Sequence, residues 1–140
     1  MNNRLTADKS ICGEYDDPVV SSANQSTHTA NNPRKYRVRQ YDMDKIFNDR
    51  KSKCDYLVLN DVKKYAYFIE LKTKSNIKKS EEQINAAIKM LESELPGYSH
   101  RLRIIAKLPR PHIKPRILRD WELKHNNARS ATDGKYIENV

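Results

Sequence analysis

The chain has 140 residues, 37% of them hydrophobic and 32% charged, with a formal net charge of +9. That length can bury one ordinary core and excludes architectures of several hundred residues. No apolar run reaches the length of a membrane span and the N-terminus MNNRLTADKS lacks the apolar centre of a signal peptide, so a cytoplasmic (intracellular) protein without a membrane partner is expected.

The basic balance favours a polyanionic partner, nucleic acid foremost. Residues 1–33 hold two cations (Arg4, Lys9) against four anions (Asp8, Glu14, Asp16, Asp17), a net of −2, which leaves +11 for residues 34–140. Cys12 and Cys54 have no CxxC spacing and no clustered histidines beside them, so neither a zinc site nor a disulfide framework is indicated.

In chain order, ICGEYDDPVV is read as a short helix or an irregular segment packed on the core. Ser21 to Pro33, SSANQSTHTANNP, is nearly devoid of large apolar side chains and predicts a mobile linker, because burial cannot offset the entropy of ordering it. Residues 1–33 are therefore expected as an N-terminal segment, partly flexible linker, and residues 34–140 as the folded domain. Lys35 to Gln40 reads as a strand with Tyr36 and Val38 on one face. The runs Cys54–Leu59 and Tyr65–Leu71, separated by a short polar break, read as a β-hairpin.

The period then changes. Ile84, Ala87, Ile88, Leu91 and Leu95 form a helical stripe, Ser80 with Gln83 resembles a capping box, and Pro96-Gly97 is a stop. Leu102, Ile104, Ala106 and Leu108 alternate with Arg101, Arg103 and Lys107 as a further strand. Pro115 opens a second predicted helix that buries Ile117, Leu118 and Trp121, and Lys135 to Val140 closes as a strand. This order predicts an α/β fold with a mixed central sheet flanked by helices.

The hairpin carries the chemistry. If its loop is Asp61 to Lys64, paired positions sum to 125, Asp55 lies across from Glu70, and alternation puts Lys72 on the Glu70 face. Opposed carboxylates have Cβ atoms roughly 5 Å apart and repel unless a proton or cation sits between them. Their hard oxygens suit Mg²⁺ or Mn²⁺, with the Leu71 carbonyl as a further ligand. Such an ion can activate water and polarise a phosphodiester, while Lys72 adds positive charge where negative charge develops.

Cys54-Asp55-Tyr56 leading into one strand, and Phe68-Ile69-Glu70-Leu71-Lys72 ending the next, resemble the PD-(D/E)xK, or restriction-endonuclease-like, nucleases. Cys54 stands where the nominal motif has proline. The resemblance spans roughly Val38 to Leu108. It implies a restriction-endonuclease-like fold and Mg²⁺- or Mn²⁺-dependent hydrolysis of DNA, with RNA a second possible substrate. It makes Asp55 and Glu70 metal ligands and Lys72 a catalytic group, with Gln83 on the following helix in a similar place to the glutamine some branches carry there. Glu14 is the candidate for the acidic residue on a preceding helix. Lys74, Lys78, Lys79, Arg101, Arg103, Lys107 and Arg110 are candidates for a phosphate track. A homodimer would supply two active sites for two strands. The alternatives are a non-catalytic nucleic-acid- or protein-binding member of the same fold with a degenerate site, and a basic RNA-binding module in which Glu-x-Lys is accidental.

Overall fold

The computed structural model describes residues 5, 15–47, 53–72 and 77–140. The central sheet contains β3 (Val38–Asp42), β4 (Tyr56–Asn60), β5 (Tyr65–Lys72), β6 (Ser99–Ala106) and β7 (Ala128–Ala131) in that spatial order. β3, β4 and β5 are antiparallel neighbours, whereas β5, β6 and β7 run parallel. The change of direction follows from connection length. A four-residue loop can only reverse the chain between β4 and β5, but α2 (Ile77–Leu91) and α3 (Arg116–Lys124) are long enough to return it for parallel pairing.

The β4–β5 loop has the predicted boundaries, with Asn60 paired to Tyr65 and Tyr56 to Ile69. Asn60 Oδ1 accepts the Val62 and Lys63 N–H groups at 3.1 Å each, and Lys64 takes a left-handed φ of 60°. The asparagine side chain thus supplies the turn's hydrogen bonds and fixes the register.

Both faces of the central sheet are covered. Ala66, Phe68, Leu102 and Ile104 meet Ile84, Ala87 and Leu91 of α2 and Leu118 and Trp121 of α3. On the other face Val38, Val58, Tyr67, Ile69, Leu71 and Ile105 meet Val19, Ala30 and Val140. Double coverage explains why YAYFIEL is a continuous apolar run rather than an alternating one. A short helix, α1 (Met43–Ile46), is capped by the Asp42 carboxylate on the Asp44 N–H.

The second face is covered by a small sheet of β1 (Val19–Ala23), β2 (Ser26–Asn31) and β8 (Lys135–Asn139), where the linker was expected. β1 and β2 form a hairpin around Asn24 and Gln25, both at positive φ (51° and 64°), the geometry of the primed two-residue turn. Composition conceals these strands because their inward residues are small or polar: Ser21, Ser26, His28 and Ala30 are all buried. Hydrogen bonds replace the missing apolar burial, with Gln40 Nε2 donating to Ser21 Oγ at 2.8 Å and to the Val20 carbonyl at 2.7 Å. β8 pairs in parallel with β2, so residues 19–31 and the chain's last strand share one layer of one domain.

Smaller departures have local causes. Ser80 lies inside α2, buried one turn from Ile77, instead of capping it. The α-helix ends at Leu91 and tightens into a 3₁₀ turn at Glu92–Glu94 before Pro96. Pro115 is the N-cap of α3 rather than its first residue, and Ile117 is 39% exposed while Leu118 and Trp121 are buried. β3 begins at Val38, three residues late, because Lys35 adopts φ 54° and the Asn32 carboxamide holds the Tyr36 N–H at 2.9 Å. β7 has no clear apolar pattern in ARSA, and pairing with β6 defines it.

Candidate metal centre

Three hydrogen bonds fix Asp55 just before β4. Its N–H donates to the Ile69 carbonyl at 3.0 Å, its carbonyl accepts from Met43 N–H at 3.0 Å, and its Oδ2 accepts from Leu71 N–H at 2.7 Å. The last bond turns the carboxylate toward the C-terminal end of β5. Continuing the β4–β5 register places Asp55 across from Glu70, as the hairpin spacing predicts.

Ala66 and Phe68 point into the helix layer, so strand alternation directs Glu70 and Lys72 to that side as well. Glu70 is fully buried. The Lys72 ammonium lies 3.0 Å from Glu70 Oε2, and with 22% of its side chain exposed it reaches from the carboxylate to solvent. The pair is close enough for charge compensation, and Asp55 and Glu70 lie within hydrogen-bond reach of each other, so a proton on Glu70 can be shared with Asp55. Burial pushes the Glu70 carboxyl from its ordinary 4.5 up to about 8, with the Asp55 charge adding to the rise and Lys72 opposing it. Burial also raises Asp55, against the Leu71 N–H that favours its charged form.

α2 leaves β5 and returns antiparallel to it, so its first turns are level with the end of β5 that bears Glu70. There Ser80 Oγ and Gln83 Oε1 are buried without hydrogen-bond partners. Gln83 is in the second turn of α2 and is not a cap.

The Leu71 carbonyl accepts from Asn24 Nδ2 at 3.0 Å and the Lys72 carbonyl from Ser26 Oγ at 2.6 Å. The β1–β2 turn therefore closes over the end of β5. Leu71 still has a second lone pair to offer a cation. The oxygens that could face a cation are those of Asp55 and Glu70 and this carbonyl; among the described residues no group of three His, Cys, Asp or Glu side chains assembles. Glu14 lies outside the described residues, as does Lys74.

The expected phosphate track is divided. Arg103 is buried, and it forks onto Glu138 at 2.7 and 2.8 Å, so it is not a phosphate contact. Arg101 lies on the same sandwich face, 3.7 Å from the centre of the Tyr65 ring, while Glu70 and Lys72 face the helices. Alternation along β6 causes this, since residues 101 and 103 have the opposite parity to Leu102 and Ile104 in the helix layer. Lys107 is level with the site, its N–H donating to the Lys72 carbonyl at 3.1 Å. Lys78, Lys79, Lys107 and Arg110 are exposed, and Lys78 borders a cleft of about 400 Å³ between α2 and α3.

Sequence reasoning missed the buried His28–Glu138–Arg103 network, with His28 Nε2 2.7 Å from Glu138 Oε2. It also missed Asn24 and Ser26. Spacing carries no hint of these, because each depends on contacts between segments remote in the chain. No helix among the described residues is long and apolar enough to cross a membrane. Comparison with family models, with curated proteins and with solved structures finds no match.

Proposed function

We propose that the protein is a metal-dependent phosphodiesterase of nucleic acid, a nuclease acting on DNA with the restriction-endonuclease-like arrangement that Asp55, Glu70 and Lys72 resemble. The observation that carries this reading is the fully buried Glu70 carboxyl set beside Asp55, with the Lys72 ammonium at 3.0 Å. Once both are ionised, two carboxylates in that position repel unless a cation lies between them, and Lys72 offsets only one charge. Hard oxygen donors and a nearby free carbonyl lone pair fit Mg²⁺ or Mn²⁺. When bound, such an ion supplies Lewis acidity toward a phosphoryl oxygen and acidifies a coordinated water.

The chain's own groups then have distinct tasks. Asp55 and Glu70 hold the ion, and Glu70 must give up its proton to do so. Lys72 moves its charge from Glu70 toward the phosphate, where negative charge grows. Gln83, with its unpartnered Oε1, orients a hydrogen-bond donor such as the attacking water. A homodimer presenting two such centres would cut both strands of a duplex.

The test is cleavage of plasmid, linear and single-stranded DNA with and without Mg²⁺ or Mn²⁺, beside Asp55→Asn and Lys72→Ala. Cleavage by the unaltered protein, abolished by chelator and by Asp55→Asn, is the expected result, with Lys72→Ala slower by about 10²–10³-fold. Equal cleavage by all three proteins would assign the activity to a contaminant and overturn the reading. The rival, a non-catalytic binding protein, has one observation in its favour: no third acidic, His or Cys ligand joins the pair among the described residues. Nucleic-acid binding without metal-dependent cleavage would establish it.

A further inference from the structure

The opposite end of β5 has a different chemistry. Tyr65 begins the strand and Glu70 follows five residues later, about 17 Å along it, with the two side chains on opposite faces. Around Tyr65 the chain gathers cations on aromatic rings. The Arg101 guanidinium lies 3.7 Å from the Tyr65 centroid, and Lys63 Nζ lies 5.8 Å from it and 5.3 Å from the Tyr36 ring. Lys64 Nζ sits 4.9 Å from the Tyr98 ring. Beside them a cleft of about 290 Å³ is bordered by Arg34, Tyr36 and Lys63, with Asn139 and Val140 behind.

These cations differ from those that hold the fold together. Arg39 is committed to Asp61, Arg103 to Glu138 and Lys114 to Glu122. No carboxylate among the described residues pairs with Arg34, Lys63, Lys64 or Arg101, and the Arg101 Nε is buried without an acceptor. Four uncompensated charges around half-buried tyrosine rings repel one another, and a polyanion with flat apolar faces relieves that repulsion.

We propose that this end of the molecule is a second nucleic-acid surface, built to hold a single strand whose phosphates meet Arg34, Lys63, Lys64 and Arg101 and whose bases lie against Tyr36 and Tyr65. Combined cation and aromatic lining is how single strands are held without sequence preference. A duplex keeps its base faces stacked inside and cannot present them to recessed rings. The proposal shares a polyanionic partner with the nuclease reading, but it rests on different residues and a different face. A strand held here is anchored outside the metal centre.

The experiment measures binding of a fluorescent oligo-dT, a duplex of equal length and heparin to the full chain in chelator, where cleavage is silent. Arg34→Glu with Lys63→Glu, both exposed positions, is compared with Lys89→Glu with Arg119→Glu, an equal charge change on exposed parts of the helix layer. The expected result is preference for the single strand over the duplex, lost at least tenfold in the first variant and within twofold of wild type in the second. The salt dependence of oligo-dT binding should also flatten by at least about one unit of log–log slope in the first variant. Equal losses in both variants, equal affinity for heparin and oligo-dT, or no binding by wild type would each overturn the proposal. Cleavage with added metal is scored separately, so loss of this surface and failure of the nuclease reading give different outcomes.

Discussion

Replacing Glu70 by Gln tests the physical premise of the proposed metal centre without any substrate. The folded protein holds the Glu70 carboxyl at about 8, whereas the unfolded chain releases that proton near 4.5. Between those values the folded state binds the extra proton, so stability is greatest below the unfolded value and falls as pH rises through the window. At pH 5 the cost is under about 1 kcal/mol and at pH 7 it is roughly 3 kcal/mol, at 1.36 kcal/mol per unit. Gln cannot ionise and escapes this cost. Its stability relative to wild type should therefore improve by roughly 2–3 kcal/mol between pH 5 and pH 7, or about 5–10 °C in melting temperature. Urea unfolding of both proteins in chelator at pH 5, 6 and 7 measures this. A difference that stays constant within about 0.5 kcal/mol would mean that Glu70 titrates normally, and the crowded buried carboxylate on which the metal site rests would be refuted.

Mn²⁺ or Mg²⁺ at millimolar concentration should raise the melting temperature of wild type, more at pH 8 than at pH 6 because Glu70 must lose its proton to bind, and should leave Asp55→Asn unmoved; a shift of equal size in both proteins would place the ion elsewhere. Glu138 has the opposite linkage: Arg103 and His28 overcome burial and hold its carboxyl down to about 2, so its contribution is complete above about 4.5 and is lost as pH falls toward 2. Glu138→Gln strands the buried Arg103 charge and should cost about 3–5 kcal/mol at pH 7, less at pH 3, by denaturant titration. An unchanged midpoint at pH 7 would contradict the buried pair.

The legible part of this protein is the part whose information is local. Asn60 and the loop through Lys64 set a register in which residues sum to 125, so Asp55, Glu70 and Lys72 could be brought together on paper and are found together in space. The stripe of α2 likewise follows from spacing alone. Local patterns failed where burial is polar: SSANQSTHTANNP reads as a linker by composition, yet Gln40, Lys72 and Gly134 supply backbone and side-chain hydrogen bonds that make it two strands.

The basic residues divide along the same line. Net charge and pI are properties of composition, but which face each cation occupies depends on strand parity and on acids far away in the chain. Arg103 is neutralised by Glu138, 35 residues on, while Arg101 two positions earlier remains uncompensated beside Tyr65. Propensity and spacing act over a few residues and so specify the hairpin, the helix and the acid–acid–lysine triangle. Solvent exclusion and charge pairing act across the folded interior, and only there is a buried carboxyl pushed toward its neutral form and does a polar segment become a sheet.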